Sequence, residues 1–330
     1  MGAMQNETKN REVIAPPDEA TIARAVTLLR TGEPVGMPTE TVYGLAADAC
    51  NDLAIAKIFE LKGRPRFNPL IVHCQDAQAV GTLVEFPPLA LQLAEHFWPG
   101  PLTLVLPRIA DCPVSLLASA GLDTLAVRVP AHPAAHQLLL ACGGPLAAPS
   151  ANISGRISPT TAAAVAEDLP LELVLDGGPC KIGLESTILA VEDATLTLLR
   201  PGGISVEEIE AATGSVVVGR REDNKVTAPG QLRSHYAPSA TLRLDAHNVQ
   251  PEEALLAFGK PLPGTAREAN LSPSGDLREA AANLFTMLRT LDAPDIDSIA
   301  VMPVPEHGLG RAINDRLRRA AAPRDSHVPG

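Results

Sequence analysis

Apolar positions along this chain come in short clusters whose spacing switches between the helical and the extended period. Ile22, Val26 and Leu29, followed by Gly32, predict a helix over 18–30, with a strand at 35–37 after it. Residues 51–63, NDLAIAKIFELKG, predict a second helix. Asn51 or Asp52 caps it, Leu53, Ala56, Ile58 and Leu61 recur at helical spacing, and Gly63 permits a left-handed stop. An apolar strand, LIVHC at 70–74, follows directly. The pattern then predicts helices at 76–83 and 88–97, strands at 102–106 and 124–129, and a helix at 134–141. A strand at 146–148, a helix at 160–169, strands at 172–175, 186–191 and 196–200, and a helix at 205–213 complete a mixed α/β domain.

Residues 219–238 break this rhythm with RREDNK, Pro229, Gly230 and Pro238, and read as a linker. Beyond it a strand at 240–244, a helix at 276–290, a strand at 298–302 and a helix at 309–321 predict a small, partly parallel α/β domain. The expected division is a first domain at 1–218, with 1–13 as a flexible start, the linker at 219–238, and a second domain at 239–330.

Composition changes this picture little. A chain of 330 residues with 45% apolar and 20% charged residues can bury two ordinary cores. It has no apolar run long enough to span a membrane, and the polar start MGAMQNETKN lacks a signal-peptide core, so the expected location is the cytoplasm. Cys50, Cys74, Cys112, Cys142 and Cys180 are scattered without a C-x-x-C pair and read as reduced, mostly buried thiols. His132 and His136, four apart, lack a third ligand nearby and make a poor metal site. Trp98 and Phe97 read as core or as the brace of a turn.

Charge changes it more. In a chain of formal net charge −11, Lys57, Lys62, Arg64 and Arg66 gather around one loop at a helix C-terminus. Cations there complement the helix dipole, which is the plain reading. Pro65 and Pro69 stiffen the loop, however, and it runs straight into a buried strand, so the charges are held as a polyphosphate or carboxylate site requires. Residues 145–158, PLAAPSANISGRIS, place Ser150, Asn152, Ser154 and Ser158 in a polar turn before a helix. Such a turn suits an anion, although a simple capping turn would use the same residues. STILAV at 186–191 and LLRPGGIS at 198–205 again set hydroxyls or an Arg at strand ends. No Walker A, G-x-G-x-x-G or nucleophile-elbow sequence is present.

Seven motifs stand in sequence: PTETVYGL at 38–45, KGRPRFNPL at 62–70, WPGPLT at 98–103, AVRVP at 126–130, PSANISG at 149–155, ESTI at 185–188 and LRPG at 199–202. In this order they resemble the threonylcarbamoyl-AMP synthases, the YrdC-domain family. APGQLRSHYAP at 228–238 and EHGLGRAINDRLRRAA at 306–321 resemble the linker and last helix of the family's two-domain form. The resemblance implies a YrdC-like mixed twisted-sheet catalytic domain with a smaller C-terminal Rossmann-like α/β domain. It departs from the family pattern where LRS precedes His235.

The resemblance also implies an activity: a nucleotidyltransferase that joins L-threonine, bicarbonate and ATP into threonylcarbamoyl-AMP with release of pyrophosphate. Mg²⁺ would assist, and downstream tRNA threonylcarbamoyltransferase proteins would receive the product. It assigns Thr41, His73, Arg128, Ala148 and Ser186 to threonine, Arg128 gripping the carboxylate and Ala148 acting through its backbone. It assigns Lys62, Arg64, Asn68, Thr124, Ser150, Asn152, Ser158, Arg200 and Tyr236 to ATP, with Tyr236 closing over the site and the second domain as lid or brace. No protein nucleophile is needed. By alternation alone Arg128 would face outward from its strand, and His73 would be a hydrogen-bonded core histidine. The terminal RLRR, 316–319, reads as a charged helix end, with a weak tRNA contact as the lesser reading. The competing function is a double-stranded RNA or tRNA binding module without catalysis, which an isoelectric point near 5.2 disfavours.

Overall fold

The computed structural model describes residues 13–192, 194–219, 228–230 and 234–323. The start expected to be flexible, apart from Val13, and linker residues 220–227 and 231–233 lie outside them.

The first six strands are β1 (Ile14–Ala15), β2 (Val35–Met37), β3 (Gly44–Asp48), β4 (Ile71–His73), β5 (Leu102–Pro107) and β6 (Thr124–Arg128). The next five are β7 (Leu146–Ala147), β8 (Val174–Leu175), β9 (Thr187–Glu192), β10 (Thr195–Arg200) and β11 (Val217–Gly219). Among the described residues they form one eleven-stranded sheet in the order β1-β8-β2-β3-β7-β4-β6-β5-β9-β10-β11. It is mixed, as expected: β4 and β6 are parallel, β5 and β6 antiparallel, β5 and β9 parallel. β3 has no counterpart in the sequence reading. GLAAD carries only one large side chain and does not alternate, because the strand is buried between β2 and β7.

Strand alternation explains where a site can form. Val72 on β4, Leu102 and Leu104 on β5, and Leu125 and Val127 on β6 enter the main core with Ile55, Ile58 and Leu93. Their neighbours point to the opposite face. There Ile71, Val105, Ala126 and Ile188 make a small apolar floor on which Ala228 of the linker packs.

The helix Asp52–Lys62 is capped as its sequence predicts: the Asn51 side-chain oxygen Oδ1 accepts from the Leu53 and Ala54 amides, and Gly63 is left-handed at φ 57°. Its buried face is different from the expected one. Ala54, Ile55, Ile58, Phe59 and Lys62 face inward, whereas Leu53 is 82% exposed. The expected gathering of cations also divides. Lys57 pairs with Glu33 at 2.5 Å and Arg66 is exposed, while Lys62 and Arg64 are buried. His132 caps its own helix by accepting from the Ala134 amide, and the Trp98 indole N–H donates to the Leu102 carbonyl. Only Cys74 and Cys180 among the cysteines are buried, and Cys50 is exposed, so "mostly buried" overstated their burial.

The second sheet comprises β12 (Thr241–Arg243), β13 (Glu253–Ala257), β14 (Glu268–Asn270) and β15 (Ser298–Val301), in the order β12-β15-β13-β14. It is parallel throughout instead of partly parallel. β13 was not predicted because EALLA is buried on both faces and shows no alternation. Helix Leu277–Leu291 buries Ala281, Leu284, Phe285 and Leu288, and these pack in one cluster with Val42, Ile157 and Leu184 of the first domain. Arg289 pairs with Asp168 at 2.5 Å, and Thr286 bonds Thr160 at 2.9 Å. The two domains therefore share a core directly beneath the PTETVYGL and ESTI motifs.

Candidate active site

The site lies on the sheet face opposite the main core. His73 ends β4 and Arg128 ends β6, in register as neighbours, so both side chains rise from the same edge of the apolar floor. Thr124 shares that face of β6 with Ala126 and Arg128, at the far end of the strand. Arg128, which alternation alone would have turned to solvent, is buried. Its Nη2 donates to Glu40 Oε1 at 2.5 Å, its Nη1 to Thr41 Oγ1 at 2.9 Å, and its Nε to the Gly100 carbonyl at 3.2 Å. A guanidinium has five donors, so about two remain for a ligand. Burial, and then the Arg128 cation, push the His73 imidazole down to about 3, so it is neutral. Among the described residues its Nδ1 has no hydrogen-bond partner.

A second group of cations stands beside this one. Lys62 donates to the carbonyls of Ser150 at 2.6 Å and Asn152 at 2.5 Å, and Arg64 to those of Asn68 at 3.1 Å and Pro69 at 2.8 Å. Arg200 donates to the Ser186 carbonyl at 2.9 Å and hydroxyl at 3.2 Å. Among the described residues none of the three pairs with a carboxylate. Burial, and then Arg64, hold Lys62 well below the ordinary lysine range, and burial brings Arg64 down to about 9. Buried cations without counter-ions are costly, and an anion placed among them would relieve that cost. The glycines of LRPGG bring this strand end close: a Cβ on Gly202 would lie 2.4 Å from the Glu185 carbonyl oxygen.

All five residues expected around threonine, Thr41, His73, Arg128, Ala148 and Ser186, line one cavity of about 40 Å³. The Ala148 amide donates to the Ile71 carbonyl at 3.0 Å, which leaves its carbonyl as the group it can offer. Of the expected nucleotide residues, Arg64, Ser150, Arg200 and Tyr236 line the same cavity. Lys62, Asn68, Thr124, Asn152 and Ser158 lie outside its wall. Asn68 is fully buried, and among the described residues neither of its amide atoms nor the Asn152 side-chain oxygen has a hydrogen-bond partner.

Sequence reasoning passed over several groups. Glu40 holds Arg128, Thr103 bonds the Ser186 hydroxyl at 2.7 Å, and His235 lines the cavity beside Tyr236. Glu185 accepts from the Ser158 hydroxyl at 2.7 Å and from Arg316 Nε at 2.8 Å. Although burial works to raise it, Arg316 and Arg200 bring the Glu185 carboxyl down to about 2. The RLRR segment is therefore not simply a charged helix end: Arg318 is exposed, but Arg316 is 1% exposed. A signal existed, since Ala312, Ile313, Arg316, Leu317 and Ala320 lie on one helix face.

A family model described as Telomere recombination matches residues 27–202, and one described as Threonylcarbamoyl-AMP synthase, C-terminal domain, matches 204–322. The threonylcarbamoyl-AMP synthase of Pyrococcus abyssi is 42% identical over 92% of this chain and 95% of its own length. That of Bacillus subtilis is 41% identical over 92% and 93%. The crystal structure of P. abyssi Sua5 complexed with L-threonine superposes with a TM-score of 0.85 at 39% identity, covering 94% of this chain and 96% of that one.

Proposed function

The chain belongs to the threonylcarbamoyl-AMP synthase family, in the form that carries a second domain, and we propose that it makes threonylcarbamoyl-AMP from L-threonine, bicarbonate and ATP. The observation that carries this reading is the pairing of two binding chemistries around one cavity. Arg128, braced by Glu40, has donors left for a carboxylate; Arg64 and Arg200 line the same cavity, Lys62 is buried close to Arg64, and among the described residues none of the three forms an ion pair with a carboxylate.

Chemically, the threonine amine attacks the carbon of bicarbonate, forming the N–C bond and releasing water, to give a carbamate. A carbamate oxygen then attacks the α-phosphorus of ATP, the α–β bridging bond breaks, and pyrophosphate leaves. Both partners are anions, so alignment and charge neutralisation are what the protein must supply. Arg128 would hold the threonine carboxylate, with Thr41 and Ser186 beside it. Neutral His73 would accept from the amine and, with so low a pKa, is a poor general base at neutral pH. Lys62, Arg64 and Arg200 would neutralise the phosphates. Among the described residues no cluster of three His, Cys, Asp or Glu could hold a metal. Mg²⁺ therefore fits as an ion carried by the nucleotide phosphates and water, where it would neutralise charge. A tRNA threonylcarbamoyltransferase would consume the product. The RNA-binding alternative draws no support from these cations, which are buried instead of spread over a face.

The test is pyrophosphate release from ATP and Mg²⁺, with and without threonine and bicarbonate, and with serine in place of threonine. Release that requires both co-substrates is expected. No release under any condition, with tight salt-sensitive RNA binding instead, would overturn the reading.

A further inference from the structure

We infer that Arg316, supplied by the second domain, is a positioning residue for the nucleotide half of the site, setting Glu185, Pro201 and Tyr236 in place without touching substrate. The inference deepens the function proposed above and rests on it.

Three N–H groups of this one buried guanidinium reach three segments. Nε donates to Glu185 Oε2 at 2.8 Å, Nη2 to the Pro201 carbonyl at 3.0 Å, and Nη1 to Asp315 Oδ2 on its own helix at 2.6 Å. The guanidinium carbon also lies 5.0 Å from the centre of the Tyr236 ring, which Phe285 stacks at 5.6 Å. Each partner adjoins a residue of the site. Glu185 precedes Ser186 and takes the Ser158 hydroxyl on its other oxygen; Pro201 follows Arg200; Tyr236 lines the cavity. A planar fork can meet these directions at once, and a lysine ammonium on a flexible stem cannot. The second domain thus reaches into the first as a fixed brace for the cation group, not only as a covering layer.

The pair also fixes a charge. Glu185 faces Arg316, itself also paired with Asp315, from the last helix, Arg200 from β10, Ser158 from the polar loop, and His235 and Tyr236 from the linker. Without Arg316, only Arg200 and the Ser158 hydroxyl would remain to oppose burial, and the carboxyl would protonate at a higher pH.

The experiment compares the full chain with Arg316→Lys, Arg316→Gln and the double variant Glu185→Gln/Arg316→Gln. Arg318→Gln, at an exposed position paired with Glu306, is the control. ATP affinity is read by calorimetry without threonine, then the KM for threonine and the pH profile of pyrophosphate release. Arg316→Lys is expected to weaken ATP binding about tenfold while the threonine KM stays within about twofold. Arg316→Gln should weaken ATP binding further and gain an acid limb in its pH profile that the double variant lacks. If Arg316→Gln does not fold, Arg316→Lys, which keeps the charge, carries the test. ATP affinity in Arg316→Lys equal to the parent's, or ATP and threonine constants rising together, would overturn the inference. A native chain that binds ATP but releases no pyrophosphate would overturn the proposed reaction instead and leave the affinity comparison valid.

Discussion

Arg128 and Glu40 form an ion pair, Nη2 to Oε1 at 2.5 Å, with both side chains almost wholly buried. The second Glu40 oxygen accepts from the Ala131 amide at 3.0 Å, so the carboxylate is fixed at both ends and fixes the guanidinium in turn. Breaking such a pair by removing one partner leaves a buried charge alone, at a cost of about 3–5 kcal/mol. Glu40→Ala should therefore lower unfolding stability by that order and raise the threonine KM, with ATP affinity unchanged. Arg128→Ala should abolish threonine use and spare nucleotide binding. Denaturant unfolding and calorimetric titration check both; intact threonine affinity in Arg128→Ala would show that the carboxylate binds elsewhere.

His73 and His235 are both held at about 3 by burial, against an ordinary value of 6.5. The unfolded chain therefore takes up protons first as pH falls, and stability contributed by the neutral rings is full above about 6.5 and lost on the way down to about 3. Two such groups give a slope of up to about 2.7 kcal/mol per pH unit within that window. Glu185, lowered to about 2, adds loss of the same sign below its unfolded value of 4.5. Melting temperature should fall steeply between pH 6.5 and 5, before most carboxylates titrate. A flat melting temperature across that interval would mean that these rings are solvated or protonated in the folded chain.

How much of this was legible beforehand varies with what each residue's role depends on. Asn51 and Gly63 act through local geometry, so helix Asp52–Lys62 could be read from its ends. Its buried face could not, because Lys62 lies inward and Leu53 outward, which inverts the hydrophobic rule at a site where a cation is held among backbone carbonyls. β3 and β13 were hidden because strands covered on both faces lose the alternation that marks a strand. Most of the expected site residues lay in motifs whose likeness was visible, with His73, Thr124, Ala148 and Ser158 just outside them. Glu40 and Glu185 lay in the same motifs but act by holding other side chains, and their partners Arg128 and Arg316 are 88 and 131 positions away. No spacing rule connects such pairs.

Nucleotide binding should take up protons. Lys62 is held well below the usual lysine value by burial and then by Arg64, and Arg64 is brought to about 9. A polyphosphate favours the charged forms and raises both values, so ATP affinity should be full at lower pH and fall as pH rises through the free-state Lys62 value. Calorimetry in two buffers of different ionisation enthalpy should give different apparent heats, and Lys62→Met should remove the difference while weakening ATP binding. Equal heats in the native chain would mean that Lys62 is already charged before the nucleotide arrives.

Access to the site should be limited by the linker. The cavity holds about 40 Å³, room for a few waters, whereas small-molecule sites usually offer about 300–1,000 Å³. The volume is taken up by the chain itself: Ala228 packs on the apolar floor, Pro229, Gly230, His235 and Tyr236 line the cavity, and the Pro229 carbonyl accepts from Arg200 at 3.5 Å. The domain interface below, with Phe285 in one cluster with Val42 and Leu184 and with Arg289 against Asp168, is too well packed to be the part that gives way. Displacing the linker is therefore a step before or during nucleotide entry. In stopped-flow binding the observed rate should level off with rising ATP concentration at the rate of that step. Tyr236→Ala, which removes the ring held between Arg316 and Phe285, should raise the plateau and speed dissociation. A rate that climbs in proportion to ATP up to diffusion-limited values would show that the linker stands open before the nucleotide arrives.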